Sequence, residues 1–320
     1  MNNKKYFNVL SVFDGISCGQ EAIKQLLSGD TELRYYASEI DYKSIKITQH
    51  NHPNTIQIWD VRFVTKEMFK HQIDILMGGS PCQNFSIAGK RNGMSTVEEI
   101  NVTSLKQYLK LKKSGFTFIG ESYLFWEFVR LLDELKPRYF LLENVVMKGK
   151  TKKWIKIISD ALGVEPIRIN SSLVSAQNRD RLYWTNIPNV TVPEDKGIVL
   201  GDIIPGAITG YGKGGVPDGN GSWKQQRWTK RKDHKSGCLT LNDNRSYITL
   251  KNGDYRLLTT TEREILQTLP VGYTNIPGIA RTYRNKAIGN SWTVDVIKHI
   301  LAPILTPQKK INHNKKTNKI

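Results

Sequence analysis

Cys82 is the residue of this chain best suited to act as a nucleophile. It follows Gly78-Gly79-Ser80-Pro81 at the end of a short apolar run. Paired glycines permit the close approach of a ligand, and the proline stiffens the turn. Lys90 and Arg91 follow in the same segment, and nearby positive charge favours the reactive thiolate. The alternative interpretation is a small buried thiol, the usual role of an isolated cysteine.

Three acidic residues, Glu39, Asp60 and Glu143, also follow apolar runs. Upstream of them, the segment 13–19 (Phe-Asp-Gly-Ile-Ser-Cys-Gly) joins the first apolar run to a helical pattern. Glycines and the free N–H groups of a helix start can receive a ligand there. An acid about 20 residues further on, such as Glu39, suits two ribose hydroxyls, and Asp60 could accept from an exocyclic amine. Together they outline an adenosine pocket, although each acid taken singly could instead cap a helix.

The first half of the chain alternates short apolar runs with helical patterns, which predicts βαβ units around a parallel sheet. Ligands of such sheets bind beyond the carboxyl ends of the strands. The chemically active residues follow the predicted strands, so we expect them to meet at one edge of the sheet. The predicted strands are Val9–Phe13, Leu33–Ser38, Thr55–Trp59, Ile73–Met77 and Tyr139–Leu142, and the predicted helices are Gln20–Leu27, Tyr42–His50 and Tyr123–Leu135.

Two segments depart from this alternation. Ala88–Gly120 is a long, basic and polar connection, in which Thr103–Lys113 is predicted to form a short helix. Gly201–Lys235 is rich in glycine and lacks a helical period, and we interpret it as a second, smaller lobe of irregular loops. Helical patterns then return the chain to the first lobe, at Thr259–Thr268 and Val294–Leu301.

Lysine and arginine outnumber aspartate and glutamate by 47 to 29, which gives a net charge of +18. A balance this basic indicates a polyanionic partner, nucleic acid first and an acidic membrane second, or else a solvated surface. No stretch approaches the roughly 18 apolar residues of a membrane span, and no signal peptide is evident, so we expect a cytoplasmic protein without a membrane partner. The three cysteines are too few for a disulfide framework, and no Cys/His cluster has metal-site spacing. We interpret Cys18 and Cys238 as packing residues.

Further motifs follow Cys82 in a fixed order. Ser-Pro-Cys-Gln at 80–83 precedes Glu-Asn-Val at 143–145 and Gln-Asn-Arg-Asp-Arg at 177–181, and then come Arg-Leu-Leu-Thr-x-x-Glu at 256–262, Gln-x-x-Pro at 267–270 and Gly-Asn-Ser at 289–291. This order resembles that of the cytosine-5 DNA methyltransferases, prokaryotic and phage type, from about Val9 to Leu301 with a gap at Val190–Tyr255. Short segments, such as Glu-Asn-Val-Val-Met at 143–147, are also similar to the de novo animal enzymes.

The resemblance implies an α/β fold, the S-adenosylmethionine-dependent methyltransferase fold, with a Rossmann-like mixed seven-stranded sheet and a small target-recognition lobe. The implied boundaries are 1–188 for the catalytic and cofactor-binding domain, 189–256 for the target-recognition region and 257–305 for the return of the chain. A basic tail at 306–320 is expected to be disordered. Asp14 in the first glycine loop and the length of the Ala88–Gly120 connection depart from the family pattern.

The resemblance also implies roles for individual residues. It makes Cys82 the nucleophile, Glu143 the partner of the cytosine and Arg179 the group that steadies charge on the ring. The implied cofactor is S-adenosyl-L-methionine, and its implied binding residues are Phe13, Asp14, Gly15, Ile16, Gly19, Glu39, Ile40, Asp60, Val61, Ser80, Asn290, Ser291 and Trp292. The implied nucleic-acid-binding residues are Ser86, Lys90, Arg91, Arg181, Arg227, Lys230 and Arg231, the last three close to Trp228.

Cytosine chemistry explains these residue types. Carbon 5 is a poor nucleophile, and addition of the Cys82 thiolate at carbon 6 makes the ring an enamine that can attack a sulfonium methyl. The base must leave the stacked duplex to be reached. We therefore expect a monomeric, DNA-associated cytosine-5 methyltransferase acting on double-stranded DNA, for which a cognate restriction endonuclease is one candidate partner. The alternatives are an RNA (tRNA) cytosine-5 methyltransferase, a small-molecule methyltransferase and a catalytically silent nucleic-acid-binding protein on the same fold.

Overall fold

A mixed sheet of seven strands forms the centre of the molecule. The computed structural model describes residues 5–81, 94–95, 100–118, 120–217, 223–240 and 246–306. The strands are β1 (Lys5–Val12), β2 (Thr31–Ser38), β3 (Ile56–Gln57), β4 (Ile75–Gly79), β5 (Tyr139–Val145), β6 (Ile167–Asn170) and β7 (Asp180–Thr185). Their order is β3-β2-β1-β4-β5-β7-β6. Because β7 is antiparallel to β5 and β6 while the other neighbours are parallel, the expected mixed sheet is confirmed.

Helices cover both faces of this sheet. In β1, Val9 belongs to one apolar cluster, whereas Leu10 and Val12 belong to the other, because successive residues of a strand point to opposite faces. The helices α1 (Cys18–Leu26) and α9 (Val294–Leu305) contribute to the first cluster, and α4 (Phe125–Leu135) and α5 (Lys153–Leu162) contribute to the second. Residues 9–12 are therefore buried from both sides, as is typical of a parallel sheet between helix layers.

The helices predicted in the first half are present, with ends displaced by a few residues. The helix α2 spans Tyr42–Asn51, and α3 spans Leu105–Lys113 within the long connection. α3 begins later than predicted because the Ser104 hydroxyl accepts from the Gln107 N–H at 3.2 Å and caps the first turn. α4 ends at Leu135 because Lys136 adopts a left-handed conformation (φ 45°) before Pro137, which disfavours a helical residue in front of it.

A second sheet follows where irregular loops were expected, so that expectation was wrong. After the short helix α6 (Leu200–Ile203), four antiparallel strands form: β8 (Ala207–Pro217), β9 (Trp223–Lys230), β10 (Tyr247–Leu250) and β11 (Tyr255–Leu257). Their order is β11-β10-β8-β9. β8 contains four glycines, Ala-Ile-Thr-Gly-Tyr-Gly-Lys-Gly-Gly-Val-Pro, and glycine weakens the local preference for a strand. Pairing with both neighbours supplies the stability that local propensity lacks.

Several elements were not predicted from the sequence, although the apolar residues of Lys153–Leu162 recur at helical spacing. They include α5, the β6–β7 pair and α8 (Arg281–Asn290), and α7 (Thr260–Leu266) is shorter than predicted. The strand β3 is limited to two residues, whereas five were predicted. Within the described parts of the chain, no helix is long and apolar enough to cross a membrane.

Candidate active site

The loop between β1 and α1 has an unusual backbone. Phe13, Gly15 and Ser17 all have positive φ, at 57°, 61° and 58°, a conformation that only glycine adopts without strain. The Asp14 carboxylate accepts from the Tyr35 hydroxyl at 2.7 Å and from the Ser17 hydroxyl. The Ser17 side chain therefore does not cap α1, and the first N–H groups of that helix are left for another partner.

Glu39 follows β2 and holds this loop from the side. Its carboxylate accepts from the backbone N–H groups of Gly15, Ile40 and Asp41, each at 2.8 Å. Burial raises the pKa of Glu39 despite these bonds, and the nearby Asp14 carboxylate raises it further. Burial likewise raises the pKa of Asp14. Ile40, the next residue, is 67% exposed and presents an apolar surface beside the two acids.

Asp60 lies three residues beyond the end of β3. It caps the 3-10 helix Val61–Phe63, accepting from the Arg62 N–H at 2.9 Å, and both of its oxygens also accept from the Arg62 guanidinium. Hydrogen bonds from the Arg62 side chain lower the pKa of Asp60. Asp60 therefore serves as the N-cap that the sequence left open as an alternative, while Val61 beside it is buried.

The carboxyl end of β4 leads toward Cys82. Gly79 pairs with Glu143 of β5, and the Asn144 amide donates to the Ser80 hydroxyl at 3.0 Å and to the Ser80 carbonyl at 3.3 Å. These bonds hold the chain beside Glu143 up to Pro81. Cys82 itself lies outside the described residues, as do Ser86, Lys90 and Arg91.

Glu143 is buried at the centre of the site. It lies inside β5, near its carboxyl end, rather than after the strand as predicted, because the antiparallel partner β7 extends the pairing to Val145. The Trp292 indole Nε1 donates to one carboxylate oxygen at 3.2 Å, and Arg181 Nε lies 2.8 Å from the other. A Cβ on Gly79 would lie 2.9 Å from Trp292 Nε1 and 3.1 Å from Glu143 Oε2. Glycine at 79 therefore makes room for this pairing.

The two arginines of the 177–181 motif have different surroundings. Arg181 contacts Glu143 and also donates to the Asp180 carbonyl at 2.8 Å. Arg179, the one expected to act on the substrate ring, is buried and donates to the Gly289 carbonyl at 3.1 Å and to the Leu239 carbonyl at 3.4 Å. The geometry therefore connects Arg181, rather than Arg179, to the acid.

Cys238 lies between these arginines, a position that the sequence did not indicate. Its Sγ is 3.6 Å from Arg179 Nη1 and 3.8 Å from Arg181 Nη2. Burial alone would raise the pKa of the thiol, but the two guanidinium groups outweigh it and hold the pKa below its ordinary 9.0. The contact spans more than fifty residues of sequence, so no local pattern could have revealed it.

The returning segment after α8 meets the loop at 13–19. Gln267 fixes it by donating to the Ile288 and Ser291 carbonyls at 2.9 and 3.0 Å. Ser291 is buried, Trp292 is half-buried and Asn290 is exposed. Gly19 and Ile16 are buried on the other side, and a Cβ on Gly19 would lie 3.2 Å from the Trp292 ring. Trp292 therefore lies against both the loop at 13–19 and Glu143.

The basic candidates of the second sheet are only partly described. Lys230 is exposed at the end of β9, whereas Arg231 forms an ion pair with Asp233. The side chain of Arg227 lies outside the described residues.

Solved structures identify the class of fold. A mutant form of Spodoptera frugiperda DNMT2 superposes with a TM-score of 0.62 at 18% identity, over 93% of this chain and 99% of that chain. A putative DNA modification methyltransferase encoded in an Escherichia coli prophage superposes with a TM-score of 0.54 at 19% identity, over 93% of this chain and 98% of that chain. The fold is thus that of the S-adenosylmethionine-dependent methyltransferases, as expected.

The family follows from the sequence itself. Residues 7–199 match the model of the C-5 cytosine-specific DNA methylases, and the chain belongs to this family. The orphan methyltransferase M.Rho11sI of Bacillus phage rho11s is 29% identical over 204 residues, which are 60% of this chain and 35% of that protein. The orphan methyltransferase M.SPBetaI of Bacillus phage SPbeta is 29% identical over 211 residues, 60% of this chain and 47% of that protein. The matches therefore span less than half the length of these curated relatives.

Proposed function

We propose that this protein is a DNA (cytosine-5-)-methyltransferase, which methylates carbon 5 of a cytosine flipped out of double-stranded DNA. One observation carries the proposal: the chain leading to Cys82 is held beside Glu143. Gly79 pairs with Glu143, and Ser80 is bonded to Asn144. A nucleophile and an acid at adjoining strand ends are what addition to a cytosine ring requires.

In this proposal Cys82 attacks carbon 6 of the ring, and Glu143 holds the ring nitrogen and the exocyclic amine. Glu143 is suited to this because Trp292 and Arg181 fix both of its oxygens in a buried position. Arg181 keeps the carboxylate oriented. Arg179 is proposed to steady charge on the ring, and it also donates to the Leu239 and Gly289 carbonyls beside the site. Once carbon 5 carries the methyl group, a base removes the proton from carbon 5, and elimination releases the Cys82 thiolate from carbon 6.

The residues at the β1 and β2 ends fit S-adenosyl-L-methionine. When bound, this cofactor supplies an electrophilic methyl group. Asp14 and Glu39 are acids whose pKa values are raised by burial, and a cationic ligand would relieve that penalty. Glu39 would hold the ribose, and exposed Ile40 would cover the adenine. The proposed cofactor residues are those expected from the sequence: Phe13, Asp14, Gly15, Ile16, Gly19, Glu39, Ile40, Asp60, Val61, Ser80, Asn290, Ser291 and Trp292. Asp60 would accept from the adenine amine in place of one of the hydrogen bonds that it now accepts from the Arg62 side chain.

DNA contacts are proposed for the second sheet and the segment after Cys82. Residues 189–256 form the proposed target-recognition region, with Arg227, Lys230 and Arg231 on phosphates. Ser86, Lys90 and Arg91 are proposed to lie against the flipped base and its neighbours. The two relatives described above are named orphan methyltransferases, so we propose a DNA partner and no dedicated endonuclease.

The test is transfer of a labelled methyl group from S-adenosylmethionine to duplex DNA and, in parallel, to tRNA. Labelling of DNA, with cytosines located by methylation-sensitive sequencing, supports the proposal. Labelling of tRNA alone would establish the RNA enzyme, and no labelling of either would leave a binding protein. Cys82→Ser should lose turnover and retain cofactor binding. Turnover that survives this change would mean that Cys82 is not the nucleophile.

A further inference from the structure

Cys238 lies beside both arginines of the 177–181 motif but has no role in the proposed reaction. It is placed there by its own segment: the Leu239 N–H donates to the Gln177 side chain at 3.0 Å, and the Ser236 N–H donates to the Ala176 carbonyl at 2.7 Å. These bonds align residues 236–239 with residues 176–179. The sulfur is thereby brought to the arginines by the backbone, independently of any attraction between them.

The contacts continue from the sulfur to the acid. Arg181 presents Nη2 to Cys238 and Nε to Glu143, at 3.8 and 2.8 Å. A guanidinium is planar and rigid, so fixing one nitrogen restricts the direction of the others. Arg179 approaches the same sulfur at 3.6 Å and is itself anchored on the Gly289 carbonyl. The Cys238 sulfur is therefore a common contact of both arginines of the motif.

We infer that Cys238 is a positioning residue, which accepts a hydrogen bond from Arg179 and from Arg181 and so holds Arg181 against Glu143. This inference rests on the proposed function, because it assigns Cys238 to the same site. The thiol form can donate to the Leu239 carbonyl, at 3.4 Å, but two guanidinium groups favour the thiolate. Their effect agrees with the lowered pKa of Cys238. A negative sulfur between two cations is a stronger acceptor than a neutral thiol.

The first experiment compares kcat of the full-length protein with that of Cys238→Ser and Cys238→Ala. We expect kcat to fall about tenfold in both, the size of one hydrogen bond to a charged group, while KM for DNA and the calorimetric affinity for S-adenosylmethionine stay unchanged. The matched control is Ser236→Ala: this buried side chain bonds only to the Gly237 carbonyl among the described contacts. Wild-type kcat in Cys238→Ser would overturn the inference, and so would an equal loss in Ser236→Ala.

A second variant separates positioning from a general structural role. Lysine at 181 is a point charge that cannot contact Glu143 and Cys238 with two separate nitrogens. In an Arg181→Lys background, Cys238→Ser should therefore cause no further loss of kcat. An undiminished further loss would mean that Cys238 acts through another residue, contrary to the inference.

The last measurement does not depend on activity. The difference in ultraviolet thiolate absorbance between wild type and Cys238→Ser, followed over pH, isolates this one thiol from Cys18 and Cys82. We expect Cys238 to titrate below an ordinary thiol and Arg181→Lys to raise its pKa. Titration at or above the ordinary value would overturn the inference. If the wild type transferred no methyl group, the proposed function would fail, and this titration would still decide whether Cys238 and Arg181 are joined.

Discussion

The acidic residues in the two halves of the site have opposite electrostatic surroundings. At the ends of β1 and β2, Asp14 and Glu39 lie near each other and, among the described residues, neither forms an ion pair with a lysine or arginine. At the ends of β5 and β7, Glu143 is paired with Arg181 and bonded to Trp292. The first half is therefore electrostatically incomplete and suited to a cationic ligand. In the second half the charge of Glu143 is paired, while its buried Oε1 accepts no hydrogen bond from the described residues, which suits it to hold a neutral base in one orientation.

The largest effect is expected from Glu143→Gln. Glutamine has the same side-chain shape as glutamate but lacks its charge. The carboxylate orients Arg181 and takes part in proton transfer to the cytosine ring, so kcat should fall about 100-fold to 1,000-fold. Cofactor affinity, measured by calorimetry, should not change because Glu143 lies in the other half. The exposed Glu194→Gln is a matched control and should keep full activity. A loss of cofactor affinity in Glu143→Gln would show that the two halves are not independent.

The reverse pattern is expected from Glu39→Ala. The Glu39 carboxylate accepts hydrogen bonds from three backbone N–H groups, at Gly15, Ile40 and Asp41, and is the proposed ribose ligand. Affinity for S-adenosylmethionine should fall about 10-fold to 100-fold, the range for hydrogen bonds to a charged group, while DNA affinity stays the same. Unchanged affinity for S-adenosylmethionine in calorimetry would contradict the proposal that Glu39 binds the ribose.

Asp14→Asn should stabilise the cofactor-free protein while weakening cofactor binding. The pKa of Asp14 is raised in the folded state, so the folded protein binds this proton more tightly than the unfolded chain. Its contribution to stability is present at acid pH and is lost as pH rises from the ordinary pKa of 3.8 through the folded value. At neutral pH the amide should raise Tm by roughly 2 °C. The gain in Tm should vanish at acid pH, and a lower Tm at neutral pH would contradict the interpretation.

The smallest effects concern single basic residues of the second sheet. Each phosphate contact contributes about −0.9 to the slope of log affinity against log salt. Lys230→Ala should reduce the slope by about that amount, equally for all DNA sequences. Arg231→Ala should change it less because Arg231 is already paired with Asp233. A change in sequence preference would mean that these residues read bases. An unchanged slope in Lys230→Ala, Arg231→Ala and an added Arg227→Ala variant would mean that the sheet lies away from DNA.

Much of the framework could be predicted from the sequence alone. Residues such as Tyr139–Leu142 form continuous apolar runs, and the predicted runs are followed by glycine or an acid, so the local pattern marks the strands and their ends. The presence of Glu39, Asp60, Ser80 and Glu143 near one edge follows, because parallel strands bring their carboxyl ends together. α4 was predictable for the same reason, since one face is apolar and Pro137 follows it.

Other features were decided only by the tertiary structure. The glycine-rich β8 is a strand because β9 and β10 pair with it, and no local propensity reports that pairing. Arg179 and Arg181 are two residues apart and look equivalent in the sequence, yet only Arg181 reaches Glu143. Cys238 looked like a packing residue, but its surroundings come from elements that are distant in the chain. Ion pairs and hydrogen bonds depend on which residues are neighbours in space. The sequence therefore shows which residue types are available, but not which of them pair with each other.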